Sequence, residues 1–199
     1  MTKTEKAAPD PASGPDLDLD LDISVTCPLW TKILPGAAAL SEIAAAAAFR
    51  MAPINGSADP KAEVSIVLAD DDFVRALNRD YRGRDESTNV LSFPASEPDD
   101  ERAPPPPGAP RLLGDIVVAY QTTIGEAAGQ GKTLGDHLCH LVVHGMLHLL
   151  GFDHQMPAPA EAMERLEIEI LAGLDIANPY ESGGEDGGEN GGTEKDQSR

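Results

Sequence analysis

Three of the five histidines in this chain, His144, His148 and His154, fall within eleven residues. His144 and His148 are four residues apart, so on a helix their side chains stand on one face and can share one ion. Gly151 follows three residues later, and glycine readily adopts the left-handed conformation that ends a helix and turns the chain back. That turn would bring His154 to the same point. The run therefore predicts a helix, a reversing turn and a metal site with three imidazole ligands.

The residues around the histidines are apolar, from Leu141 to Val143 and again at Met146, Leu147, Leu149 and Leu150, which predicts a largely buried helix. Buried imidazoles without partners cost free energy, and coordination of one ion would satisfy three of them. Such ligands suit zinc or a similar first-row metal, with one position left for water. We predict one Zn²⁺ per chain, with other first-row divalent metals left open. An accidental histidine pair at this spacing is the alternative.

The histidines and the glycine have the spacing of the long zinc-protease signature, H-E-x-x-H-x-x-G-x-x-H. The residue after the first histidine is Gly145, where a protease has the glutamate that serves as general base. The ligand spacing thus favours a metallopeptidase, and Gly145 disfavours it.

The charge of the chain limits how it can bind nucleic acid. The formal net charge is −19; residues 1–22 and 181–199 each contribute −4, which leaves −11 for residues 23–180. Such a surface repels nucleic acid at long range. Any RNA binding must therefore come from a local basic patch or from a partner.

The chain of 199 residues predicts one domain over residues 17–180, between disordered tails at 1–16 and 181–199. Alternating or apolar runs predict strands at 17–25, 63–68, 88–94 and 114–120. Helices are predicted at 37–51, 70–82, 121–130, 134–151 and 158–174. The mixed order predicts an α+β fold with one four-stranded mixed sheet, about five helices and the metal site on a helix in the C-terminal half.

Two cysteines, Cys27 and Cys139, lie far apart and do not form a disulfide framework. Cys139 lies about 140° around the helix from His144, so a buried, non-ligating role is expected for it. The N-terminus has no apolar run after its first residues, and no stretch reaches membrane-spanning length. These features predict a soluble, cytoplasmic protein.

Three segments together resemble the YbeY family of bacterial endoribonucleases. They are the histidine motif at 144–154, the segment from Leu77 through Thr88-Asn-Val-Leu-Ser-Phe-Pro94, and Leu113-Gly-Asp-Ile-Val117. The resemblance covers roughly residues 20–180. It implies a single-strand-specific endoribonuclease that matures the 3′ end of small-subunit ribosomal RNA and acts in ribosome quality control. It also implies a metal on His144, His148 and His154, and a catalytic role for Arg82.

The implied partners are ribosomal RNA and the small ribosomal subunit, together with a ribosomal protein or an Era-type GTPase. Hydrolysis of RNA needs positive charge near the phosphate, and Arg75, Arg79 and Arg82 share one predicted helix face. The alternative for Arg75 and Arg79 is a solvated face paired with aspartates. His140 lies four residues before His144 on the same predicted helix face. It either supports the metal site, as a hydrogen-bonding neighbour or a proton carrier, or has no part in the chemistry. His137 is expected at the surface.

Two other functions stay open at this point. One is a metallopeptidase. The other is a ribosome-assembly factor with a structural metal, which the charge of −19 favours because a free enzyme of this charge should bind RNA weakly.

Overall fold

The computed structural model describes residues 18–52, 61–95, 109–152 and 157–181, with side chains of the last range from residue 160. The chain forms four strands and six helices over these residues. In order they are β1 (Asp18–Val25), α1 (Pro28–Ile33), α2 (Ala37–Met51), β2 (Lys61–Ala69), α3 (Asp71–Arg82), β3 (Val90–Pro94), β4 (Arg111–Ala119), α4 (Tyr120–Gly129), α5 (Leu134–Leu149) and α6 (Pro157–Ala172).

The four strands make one mixed sheet in the order β1-β2-β4-β3. β1 and β4 both run parallel to β2, whereas β3 runs antiparallel to β4 and forms an edge of the sheet. The predicted α+β fold with a four-stranded mixed sheet is confirmed. β3 places Ser92 opposite Ile116 of β4. Both residues face Gly145 of the helix that carries the histidine motif.

Helix α5 is the central helix of the structure because it contacts α2, α4, α6 and the strands β3 and β4. Side chains alternate between the faces of a strand, and β4 shows this clearly: Ile116 and Val118 join the main core with α5, whereas Val117 joins a small second core. That second core includes Val74 of α3. The two cores place α5 and α3 on opposite faces of the sheet.

Local sequence signals explain the bounds of α3. The Asp70 carboxylate accepts a hydrogen bond from the Phe73 amide, which caps the first turn. Gly83 has φ 69° and ends the helix in the left-handed region. The predicted helix at 70–82 and the structure agree to within one residue.

The structure adds a sixth helix that the sequence pattern does not predict. α1 has six residues and begins at Pro28, which suits the first position of a helix. Its Trp30 is fully buried and its indole N–H donates to the Ala69 carbonyl at 3.0 Å. Contacts with distant residues, which no short window of sequence contains, therefore hold this helix in place.

Both cysteines are free and buried, which confirms the burial predicted for Cys139. Burial raises the pKa of the Cys139 thiol to about 11, so that it is protonated at neutral pH. The predicted tails at 1–16 and, beyond residue 181, at 182–199 lie outside the described residues. Among the described helices, none combines the length and the apolar character needed to cross a bilayer.

Gly114 provides a test of the sheet. The pairing of β2 with β4 shifts between Glu63 and Val64, and Gly114 beside this bulge has φ 134°. A Cβ added there would lie 2.1 Å from the Phe93 carbonyl oxygen. We expect Gly114→Ala to lower the free energy of unfolding by more than about 2 kcal/mol in urea titrations, because backbone strain and a backbone clash coincide.

Gly125 is the matched control, since an added Cβ on this helix residue meets no atom within 4 Å. Gly125→Ala should be neutral or stabilise the protein by up to about 1 kcal/mol. Equal stability changes in the two variants would contradict the role assigned to Gly114.

Candidate metal centre

His144 and His148 stand one turn apart on α5 and their rings meet. The Nε2 atoms of the two rings are 3.1 Å apart, with the ring planes nearly perpendicular. The side chain of His144 is about a quarter exposed, whereas most of the surrounding helix is buried. The structure thus confirms that these two histidines share one face of the helix.

The other nitrogen of each ring fixes its tautomer. The His148 Nδ1 lies 3.0 Å from the Phe152 carbonyl oxygen, which can only accept, so Nδ1 carries the proton. The His144 Nδ1 lies 2.8 Å from a carboxylate oxygen of Glu167 and donates to it in the same way. In the neutral rings, both Nε2 atoms therefore present lone pairs to the same point.

Two lone pairs this close repel each other unless a proton or a cation lies between them. Two zinc–nitrogen bonds of about 2.0–2.1 Å at a tetrahedral angle would place their nitrogens roughly 3.3–3.4 Å apart. The separation of 3.1 Å is close to that value. An acceptor behind each ring, to which the other ring nitrogen donates its proton, is also the usual arrangement for histidines that bind metal. The pair fits a divalent metal ion.

The turn predicted at Gly151 is present. Gly151 has φ 92°, its amide donates to the His148 carbonyl, and the Phe152 amide donates to the Leu147 carbonyl. These two bonds make the motif that ends many helices with a left-handed glycine. His154 lies outside the described residues, so its role as third ligand stays a prediction. Within the part of the chain that the structure describes, no group of three potential ligands converges.

The sequence analysis missed Glu167 on α6. Its side chain is fully buried and its carboxylate accepts hydrogen bonds from His144 at 2.8 Å, from His140 Nε2 at 3.4 Å and from the Tyr180 hydroxyl. Burial favours the neutral acid, but the three donors outweigh it and lower the pKa of Glu167 to about 2. One signal was available: Glu167 falls at the helical spacing of the buried Met163 and Leu171, where the pattern calls for an apolar residue.

The two remaining histidines of α5 face carboxylates. His140 contacts Glu167, which makes it a neighbour of the site. The expectation of a surface position for His137 is wrong, since His137 is 3% exposed and its Nε2 lies 2.8 Å from Glu126. Burial lowers the pKa of His137, although Glu126 opposes the shift. The prediction failed because a polar residue is expected at the surface, whereas the contact between α4 and α5 buries His137 and supplies Glu126 as its partner.

The geometry explains why Gly145 stands where a zinc protease has glutamate. A Cβ on Gly145 would lie 3.0 Å from Ile116 Cγ2 and 3.1 Å from Ser92 Oγ. α5 therefore packs directly on β3 and β4 at this residue, which faces the sheet. Any side chain at this position, glutamate included, would require the side chains of Ile116 and Ser92 to move.

The predicted arginine face is divided by ion pairs. Arg75 binds Asp85 and Arg79 binds Asp80, both on the protein surface. Arg82 instead donates from Nη2 to the Ser92 carbonyl at 3.0 Å. Because the hydroxyl of Ser92 faces Gly145, this one residue separates Arg82 from the helix turn that carries His144.

Comparisons with known proteins agree with these motifs. The Endoribonuclease YbeY family matches residues 38–175. Endoribonuclease YbeY of Paramagnetospirillum magneticum is 50% identical over 162 residues, which is 81% of this chain and 96% of that relative. The chain belongs to the YbeY family. Endoribonuclease YbeY of Rhodopseudomonas palustris is 57% identical over 120 residues, covering 60% of this chain and 62% of that relative.

Among solved structures, the solution structure of TM1509 from Thermotoga maritima matches with 25% identity and a TM-score of 0.47. The match covers 85% of this chain and 99% of that one. The span that matches the YbeY family includes Arg82, both histidines of the pair and Glu167, whereas Tyr180 follows its end.

If His144 and His148 bind one metal ion, removal of either imidazole should weaken metal binding. His148→Ala should lose stoichiometric metal after dialysis, because the variant lacks one of the two imidazole ligands. Elemental analysis of the purified proteins measures this. Cys139→Ala is the control on the same helix, and we expect it to retain all of the metal. Full metal content in His148→Ala would contradict the site.

Proposed function

We propose that this chain is a metal-dependent, single-strand-specific endoribonuclease that matures the 3′ end of small-subunit ribosomal RNA and acts in ribosome quality control. The YbeY family to which it belongs consists of endoribonucleases, hydrolases that act on RNA. The observation that carries the proposal is the approach of the Nε2 atoms of His144 and His148 to 3.1 Å from each other.

His144 and His148 would hold the ion, and we propose His154 as the third ligand and zinc or another first-row divalent metal as the ion. When bound, such an ion lowers the pKa of water from about 15.7 to about 7, so that hydroxide is available near neutral pH. The other nitrogen of each ring is hydrogen-bonded: His148 Nδ1 donates to the Phe152 carbonyl and His144 Nδ1 donates to the Glu167 carboxylate.

Arg82 would act on the substrate. One of its five N–H groups donates to the Ser92 carbonyl, which ties the guanidinium to β3. Its other N–H groups have the geometry to bind phosphate oxygens in pairs. We propose that Arg82 binds the scissile phosphate and stabilises the charge that develops on it during cleavage.

The acidic charge implies that binding depends on few contacts. With −11 on residues 23–180, general attraction to RNA is absent. We propose that affinity comes from Arg82 and from partners in the cytoplasm: the small ribosomal subunit, with a ribosomal protein or an Era-type GTPase.

Arg82→Ala should reduce the cleavage of precursor ribosomal RNA by about 10²–10³-fold in kcat, because a positive charge at the phosphate is lost. Metal content and melting temperature should stay at the wild-type values, since Arg82 is exposed. Gel-based kinetics with nuclease-free, metal-loaded protein measures the rate.

Arg79→Ala on the same helix turn is the control, because Arg79 is bound to Asp80. We expect its rate to stay within a few-fold of wild type. An Arg82→Ala protein that cleaves at the normal rate would exclude Arg82 from the mechanism and favour the assembly-factor alternative.

The metallopeptidase alternative makes a different prediction. The residue after His144 on α5 is Gly145, so the position that carries the general base in a zinc protease has no carboxylate to accept the proton from water. The metal-loaded protein should therefore leave unfolded casein intact in an overnight digestion. Casein cleavage that is present in wild type and lost in His144→Ala would show that the site acts on peptides.

A further inference from the structure

We propose that Glu167 and Tyr180 form a positioning pair that orients His144 and strengthens its bond to the metal. This inference rests on the proposed metal site and adds two residues to it from the C-terminal part of the chain. Neither residue offers a lone pair to the ion; both act through His144.

The first step is that the two oxygens of the Glu167 carboxylate accept hydrogen bonds from different donors. Oε1 accepts from His144 Nδ1 at 2.8 Å, whereas Oε2 accepts from His140 and from Tyr180. A buried carboxylate is costly unless its oxygens are hydrogen-bonded, and here the donors satisfy both. The carboxylate can therefore remain ionised in the interior and face His144 as a full negative charge.

The second step is the anchoring of Tyr180. The Tyr180 amide donates to Asn178 Oδ1, and the Lys132 ammonium donates to the carbonyl of Pro179 at 2.8 Å. The Tyr180 ring packs edge-on against His140 with ring centres 5.8 Å apart. These contacts hold the segment after α6 against α5, so the hydroxyl is presented to Glu167 in a fixed place.

The third step is the effect on the ligand. A carboxylate behind an imidazole fixes the tautomer that leaves Nε2 unprotonated and makes that nitrogen more basic. Loss of such a partner commonly weakens metal binding by about 10–100-fold. Tyr180 acts on His144 only through Glu167. Its hydroxyl donates a hydrogen bond to the carboxylate and so keeps the carboxylate turned toward His144.

The chain offers a matched control on the same helix. Glu126 also contacts a histidine of α5 at 2.8 Å, but that histidine is His137, which is not a proposed ligand. Glu126→Gln and Glu167→Gln therefore remove the same charge from the same kind of pair. A purely structural role would lower the melting temperature in both without affecting the metal.

The test is zinc affinity, measured by competition with a chromophoric chelator on the full-length chain, with melting temperature recorded in parallel. We expect Glu167→Gln to bind zinc 10–100-fold more weakly and Tyr180→Phe several-fold more weakly, with Glu126→Gln within two-fold of wild type. Tyr180→Phe removes only one hydroxyl from a part-exposed side chain, so this variant should fold. If Glu167→Gln does not fold, the zinc affinity of Tyr180→Phe tests the proposal instead.

Zinc affinity unchanged in Glu167→Gln, or in Tyr180→Phe where Glu167→Gln does not fold, would overturn the proposal. Equal weakening in Glu126→Gln and Glu167→Gln would also overturn it. Failure of the metal site itself gives a different result, because wild type would then bind no stoichiometric zinc and His148→Ala would behave like wild type.

Discussion

The close approach of α5 to the sheet at Gly145 is the constraint on which the rest of the structure depends. The helix contacts two strands and three other helices, and a Cβ on Gly145 would lie only 3.0–3.1 Å from side-chain atoms of Ile116 and Ser92. Because α5 is fixed to the sheet at Gly145, the positions of His144 and His148, roughly 100° and 60° around the helix from it, are fixed as well. Packing and ligand position are thus set by one helix–sheet contact.

A second constraint is electrostatic. An acidic protein gains little from general attraction to RNA, so its positive groups must be placed individually. α3 shows this, since two of its arginines are paired with nearby aspartates and Arg82 is held by a neutral carbonyl. The two histidines also have individually placed partners. The Glu167 carboxylate accepts a hydrogen bond from His144, and the Phe152 carbonyl accepts one from His148.

Much of the fold could be predicted from the sequence because its signals are local. The helix at 37–51 follows from its alanines, α3 from its aspartate cap, and the end of α5 from Gly151, whose left-handed turn is present. α1 could not be predicted, since the hydrogen bond from Trp30 to Ala69 joins residues 39 apart in the chain.

The candidate site was predictable in part for the same reason. The spacing of His144 and His148 is a local pattern, and the structure brings their rings together. Glu167 and the burial of His137 depend on which helices meet, which periodicity within one helix does not specify. The pairing of Arg75 with Asp85 likewise depends on how the chain turns after α3.

The bond between His144 and Glu167 has a thermodynamic consequence for the last helix. It joins residues 23 apart on separate helices, so an ion bound at His144 and the docking of α6 against α5 stabilise each other by linkage. Metal-loaded protein should then show slower amide hydrogen exchange in α6 than metal-free protein. In this arrangement the affinity for the ion depends on how stably α6 packs against α5.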